Sequence, residues 1–172
     1  SAESFFQVNL PQAERLVDLV LNALELHVQD TVLDAYCGVG LFSAMMASDV
    51  SRVMGVELSE SACDDYVVNL DEYDNVELYV GAAGQVLPGL KTKANKVVVD
   101  PPRAGLERSA LNAILAMAPE KIAYVSCDPS TLARDARLIA AGGYSVERIT
   151  PVDLFPQTYH IECVAVMSRM GK

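Results

Sequence analysis

The chain reads as an α/β fold: a mainly parallel seven-stranded sheet, helices on both faces, and an antiparallel hairpin closing the C-terminal edge. Two observations predict it. Short apolar runs alternate with amphipathic stretches through most of the chain, the pattern of strand–helix–strand crossovers. After Gly142-Gly143 two further runs, Tyr144–Val152 and 161–168, follow each other with no helical stretch between them, which is the pattern of a hairpin. A third observation points to a site. Asp34, Glu57, Asp100 and Cys127 each stand at the carboxyl end of a predicted strand, where sheets of this class bind ligands at the reversal of strand order.

In order, an aromatic extended stretch, Ser4-Phe5-Phe6-Gln7-Val8-Asn9, leads into a helix over 11–26 whose apolar residues Leu16, Leu19, Val20, Ala23 and Leu24 fit a 3.6 period. A first strand, Thr31–Ala35, runs into Cys37-Gly38-Val39-Gly40 and a helix over 41–47. The second strand, Arg52–Glu57, precedes a helix over 59–70. Val76–Val80 and 96–100 are the third and fourth strands, the latter entering Asp100-Pro101-Pro102-Arg103-Ala104-Gly105. A helix over 109–117 precedes a fifth strand, 122–125, and the turn Ser126-Cys127-Asp128-Pro129. Asp128 suits an N-cap and Pro129 the first helical position, where its missing N–H goes unneeded. Cys127 therefore sits between a strand tip and a helix N-terminus. The helix dipole favours its thiolate, neighbouring Asp128 opposes it, and a buried, inert cysteine is the alternative.

Composition narrows the function. At 172 residues and 51% hydrophobic the chain suits one folded domain, without repeats or linkers. No apolar run is long enough to cross a bilayer, so a soluble, cytoplasmic protein is expected. Four cysteines with no Cys-x-x-Cys pair, and two histidines, support neither a disulfide framework nor a metal site. A net charge of −10 argues against a free-standing RNA binder, since phosphate binding needs clustered cations.

The glycine turn after the first strand lets a ligand approach the backbone, and Glu57 is placed to accept from ribose hydroxyls. A dinucleotide site would want a third glycine where Ser43 stands; S-adenosylmethionine, having no phosphate, needs none, and is favoured over NAD. A tight turn without a ligand, with Asp34 as its cap and Glu57 solvated, is the plain alternative. The Asp100-Pro101-Pro102-Arg103 segment is stiffened by its prolines and can present Asp100 and Arg103 to a planar ligand.

Six segments together resemble the S-adenosylmethionine-dependent RNA uracil-C5 methyltransferases, which make 5-methyluridine in tRNA or rRNA. They are Phe5-Phe6-Gln7-Val8-Asn9, the run from Asp34 to Phe42, Gly55-Val56-Glu57, the run from Asp100 to Gly105, Tyr124-Val125-Ser126-Cys127-Asp128-Pro129, and the run from Phe155 to Glu162. The resemblance implies a Rossmann-like class I methyltransferase domain over 1–172. It implies that Gln7, Tyr36, Gly38, Glu57 and Asp100 line the pocket for S-adenosyl-L-methionine and substrate, that Cys127 is the nucleophile and that Glu162 is the general base. His160 is placed to orient Glu162. The expected partner is RNA, held with help from an N-terminal RNA-binding domain that this stretch lacks, with no membrane or DNA involvement. Leu41 stands where the family often has a cofactor-touching asparagine, and nothing matches the iron–sulfur cysteines of some members. Competing readings are a non-catalytic cofactor- or RNA-binding module, a cytosine-C5 enzyme, which lacks the Ser-Cys-Asp-Pro turn and the His-x-Glu end, and an exocyclic-amine methyltransferase, which would want an aromatic residue at Arg103.

Overall fold

The computed structural model describes residues 10–154 and 161–171. Their elements are α1 (Leu10–Leu24), β1 (Thr31–Ala35), α2 (Leu41–Met46), β2 (Arg52–Glu57), α3 (Glu60–Asn69), β3 (Val76–Val80), α4 (Ala83–Val86), β4 (Lys96–Val99), α5 (Arg108–Met117), β5 (Lys121–Ser126), α6 (Pro129–Ala141), β6 (Tyr144–Val152) and β7 (Glu162–Arg169). The strands form one seven-stranded sheet in the order β3-β2-β1-β4-β5-β7-β6. β1 to β5 pair in parallel, while β7 runs antiparallel between β5 and β6. The predicted fold class and all seven strands are thus present. The expected helix at 109–117 starts one residue earlier, and α4, too short to show a period, was not foreseen.

Alternation along the central strands divides the core into two layers. Leu33, Val97, Val99, Ile122 and Tyr124 face α4, α5 and α6, packing on Ala83, Ile114 and Ile139. Val32, Val53, Val98, Ala123 and Val125 face α1 and α2, packing on Leu16, Val20, Leu24, Phe42 and Met46. Strands covered on both faces lose solvent on both, which is why β4 reads as the unbroken run Lys96-Val97-Val98-Val99, buried throughout. The strand order reverses between β1 and β4, and the carboxyl ends of both strands open into the same cleft.

Candidate active site

β1 ends under β2. The backbone N–H groups of Tyr36 and Cys37 both donate to Val56 O, at 2.9 and 3.1 Å, and Tyr36 takes a positive φ of 65° to do so. Gly38 follows at φ 54°, and its N–H donates to Glu57 Oε2 at 2.9 Å. The other oxygen, Oε1, accepts from Leu58 N and Ser59 N at 2.8 and 2.7 Å. Glu57 is therefore no loose strand end: three backbone donors fix its carboxylate, and a carboxylate keeps capacity for a further donor. The two glycines of the turn differ in purpose. A Cβ at Gly38 would meet nothing within 4 Å, so the space beside it is open to a ligand. A Cβ at Gly40 would lie 2.4 Å from Leu70 Cδ1 and 2.8 Å from Tyr66 Cδ2, so Gly40 serves helix packing.

Beneath the turn, Asp34 is fully buried. Ser43, in the position of the absent third glycine, donates its hydroxyl to Asp34 Oδ2 at 2.7 Å, and Tyr66 OH donates to Ser43 Oγ at 3.0 Å. Among the described residues Asp34 Oδ1 has no hydrogen-bond partner. Loss of water pushes the Asp34 carboxyl up to about 6, against the pull of Ser43. So Asp34 anchors the turn from inside.

A pocket of about 330 Å³ opens at these strand ends, with Tyr36, Glu57, Leu58, Ala83, Asp100 and Glu107 in its lining. Larger recesses of about 540 and 450 Å³ lie at the opposite end of the sheet, beside His27 and Arg52 respectively. They are more open and gather no comparable set of perturbed carboxyls, so the smaller pocket is the candidate site. Among the described residues Tyr36 OH is buried without a hydrogen-bond partner; burial raises its pKa, with the Glu107 charge adding to it. Asp100 follows β4, its N–H donating to Ala35 O at 3.2 Å. Its carboxyl is pushed up to about 7, first by the protein packed round it, then by Glu162 and Asp34. Solvent reaches its side chain through the open side, which tempers that effect. The donor set fits S-adenosylmethionine. It offers carboxylates for hydroxyl and amine donors, an unpartnered tyrosine hydroxyl, and a negative field suited to a cation.

The reactive end lies across the sheet. Asp128 caps α6, its side chain accepting from Ser130 N and Thr131 N at 2.8 and 3.1 Å, with Pro129 at the first turn as expected. Ser126 pairs with Cys163 in the antiparallel β5–β7 ladder, so Cys127 and Glu162 come next in register, on adjacent strand ends. Cys127 is half-buried, whereas Cys37, Cys63 and Cys163 are buried; all four are free thiols. Burial pushes the Cys127 thiol up, and Glu162 and Asp100 push it further, while Arg103 pulls it down. The helix end thus does not prevail in the free protein: the thiol form is favoured. Glu162 is likewise held up by burial, opposed by Arg103.

The structure brings Tyr36, Gly38, Glu57 and Asp100 together at one cleft, with Cys127 and Glu162 adjoining Asp100. Gln7 and His160 lie outside the described residues. Sequence reasoning missed Ser43, Tyr66, Glu107, Arg134 and Asp135. Of these, only Ser43 carried a signal, as a polar residue where a glycine was looked for.

A seven-stranded sheet of this order, with its ligand cleft at the β1–β4 reversal, defines the class: a Rossmann-like methyltransferase fold. It recurs in precorrin-6y C5,15-methyltransferase of Geobacter metallireducens, 16% identical, with a TM-score of 0.74 over 90% of this chain and 88% of that one. Within that class the chain belongs to the tRNA (uracil-5-)-methyltransferase family, whose sequence pattern matches residues 1–93 and 85–170. An uncharacterised RNA methyltransferase of Bacillus cereus is 44% identical over the whole of this chain and 38% of its own length. The tRNA (uracil-54, C5)-methyltransferase of Pyrococcus abyssi, solved with S-adenosyl-L-homocysteine, superposes with a TM-score of 0.78 at 34% identity, over 96% of this chain and 40% of that one. The chain spans about two fifths of the length of these relatives.

Proposed function

We propose that residues 1–172 are the catalytic domain of an S-adenosylmethionine-dependent RNA methyltransferase that acts on C5 of a uridine in tRNA or rRNA. The observation that carries this reading is the pairing of Cys127 with Glu162 on adjacent strand ends, beside Asp100 and the Glu57 pocket. Glu57, Tyr36, Gly38 and Asp100 would hold the cofactor, with Gln7 as a further contact. The cofactor, when bound, supplies an electrophilic methyl group.

Uracil C5 is a poor nucleophile. Addition of the Cys127 thiolate to C6 forms the S–C6 bond and moves the C5=C6 electron pair into an enolate, which makes C5 nucleophilic. Once C5 carries the methyl group, Glu162 takes the C5 proton, the C5=C6 bond re-forms and the thiolate leaves. A carboxylate held above its ordinary range binds a proton more readily, so the half-buried position of Glu162 suits a base. Cys127 carries its proton in the free protein and gives it up to solvent water before the thiolate adds to C6. Arg103, the cation that draws its pKa down, favours that loss.

The acidic charge of −10 implies that RNA is gripped mainly by a domain beyond this stretch, in a soluble, cytoplasmic protein without a DNA or membrane role. Among the described residues no helix is long and apolar enough to cross a membrane.

The test uses the full-length protein with unmodified tRNA and rRNA. Glu162→Gln should add Cys127 to C6 and transfer the methyl group but stall at elimination, accumulating a denaturation-resistant protein–RNA adduct. Cys127→Ala should form no adduct, alone or combined with Glu162→Gln, and should lose methyl transfer while keeping cofactor affinity. Normal turnover by Glu162→Gln would remove Glu162 as the base. C5 methylation by Cys127→Ala would overturn the covalent route.

A further inference from the structure

Asp135 is one of the few buried charged groups, and the mechanism above does not use it. It lies in the middle of α6, 1% exposed, and three elements converge on it. Its Oδ2 accepts from Tyr124 OH of β5 at 2.7 Å and from Leu106 N at 2.8 Å. Its Oδ1 accepts from Arg134 Nε at 2.8 Å, and the Arg134 guanidinium reaches on to donate to Ala104 O at 2.9 Å. Ala104 and Leu106 bracket Gly105, which sits at φ 77° with its N–H donating to Pro102 O at 2.8 Å. A Cβ at Gly105 would fall 2.5 Å from both the Arg134 guanidinium and Asp135 Oδ2, so the loop lies directly on this pair. The loop so held is the one that carries Arg103.

We propose that Asp135 and Arg134 are positioning residues that fix the 100–106 loop against β5 and α6, so that Arg103 presents its cation to the Cys127 thiol. A buried carboxylate accepting three hydrogen bonds stands far above a surface ion pair in directing geometry. α6 begins at the Cys127 turn, and the pair ties that helix to the Asp100–Arg103 loop, so the two halves of the reactive end are set by one clamp. Among the described residues the charged groups acting on Cys127 are Glu162 from β7, Asp100 from the end of β4 and Arg103 from the loop, while the Asp128 carboxylate is turned onto the N-terminus of α6. Of these, Arg103 alone is positive. Moving it away leaves burial and two carboxyls, Glu162 and Asp100, to hold the thiol protonated. The significance of the clamp for turnover rests on Cys127 being the nucleophile, but its existence does not.

The test therefore needs neither RNA nor cofactor. Iodoacetamide alkylation of the folded full-length protein is followed against pH, with peptide mapping to read Cys127; Cys37, Cys63 and Cys163 are buried. Asp135→Asn keeps an oxygen for Tyr124 and Leu106 but turns an amide towards Arg134; Arg134→Lys keeps the charge and loses the fork. Arg103→Gln should slow alkylation roughly two- to fivefold at about pH 8 by raising the thiol pKa. Asp135→Asn and Arg134→Lys should match it, and combining either with Arg103→Gln should add nothing. If Asp135→Asn does not fold, Arg134→Lys alone decides. A lower melting temperature with an unmoved alkylation profile would mean the pair is only structural. An unchanged profile in Arg103→Gln would show that the cation does not face the thiol, and either result overturns the proposal. Failure of the adduct experiment above, with this one succeeding, would remove the chemistry and leave the clamp.

Discussion

The two ends of the cleft are built on opposite rules. At the β1–β2 end, Glu57 holds three backbone donors and Gly38 is pinned to it, so the turn has its final shape before any ligand arrives. At the β4–β5–β7 end, no hydrogen bond holds the side chains of Asp100 or Glu162 among the described residues, and they and Cys127 are all held up toward their protonated forms. The first end is preorganised for binding; the second is poised for groups that substrate must recruit. A pocket that only bound a cofactor would need the first end alone.

That contrast can be broken at its foundation, the turn itself, where the largest effect is expected. Gly40→Ala should cost about 3 kcal/mol or more of stability, combining left-handed strain with a clash against Leu70 and Tyr66. Gly38→Ala should cost only ~1 kcal/mol, because its Cβ meets open space, yet it should weaken S-adenosylhomocysteine binding more than its stability loss explains. Urea unfolding and calorimetry separate the two; equal stability losses would contradict the division of labour between the glycines.

Asp34 sharpens the comparison through pH. Its folded pKa of about 6 lies above an ordinary 3.8, so the protonated form is favoured by folding. Its contribution to stability is fully present below about pH 4 and is lost as pH rises through about 6, an effect of ~2–3 kcal/mol. Asp34→Asn, which can still accept from Ser43, should therefore gain stability relative to the parent between about pH 4 and 7. Parallel stability–pH curves for the two proteins would remove the buried-carboxyl account.

Glu57→Ala should weaken S-adenosylhomocysteine binding by roughly 1.5–3 kcal/mol per lost charge-assisted contact, and also free the Gly38 turn. Unchanged affinity by calorimetry would sink the ribose assignment. The smallest effect is expected at the reactive end. Asp128→Ala removes the α6 cap and should lower the midpoint slightly in thermal or urea unfolding. It should also slow adduct formation by Cys127 more than it alters cofactor affinity.

What could be read from the sequence was what local chemistry determines. Asp128-Pro129 announces a helix start by itself, and the strand-end positions of Asp34, Glu57, Asp100 and Cys127 follow from periodicity. The pairing of Cys127 with Glu162 does not, because it depends on the register between strands far apart in the chain; only the family resemblance joined them beforehand. Asp135 was invisible for a different reason. An acid beside an arginine within an amphipathic helix looks like a solvated ion pair until Tyr124 and Leu106 are seen to converge on it. The direction of the Cys127 shift was undecidable, since it turns first on how far the fold buries the thiol and then on Glu162 and Asp100, all of them tertiary effects.

β7 is last among the strands in chain order, yet it is not at the rim: it is wedged between β5 and β6. During synthesis every other strand can be out and partly paired while β5 still shows a bare edge, and only the arrival of β7 seals it. Glu162 rides in on that strand. An incomplete nascent chain can therefore display Cys127 without its partner carboxylate, and the reactive pair comes into being only when the slot is filled.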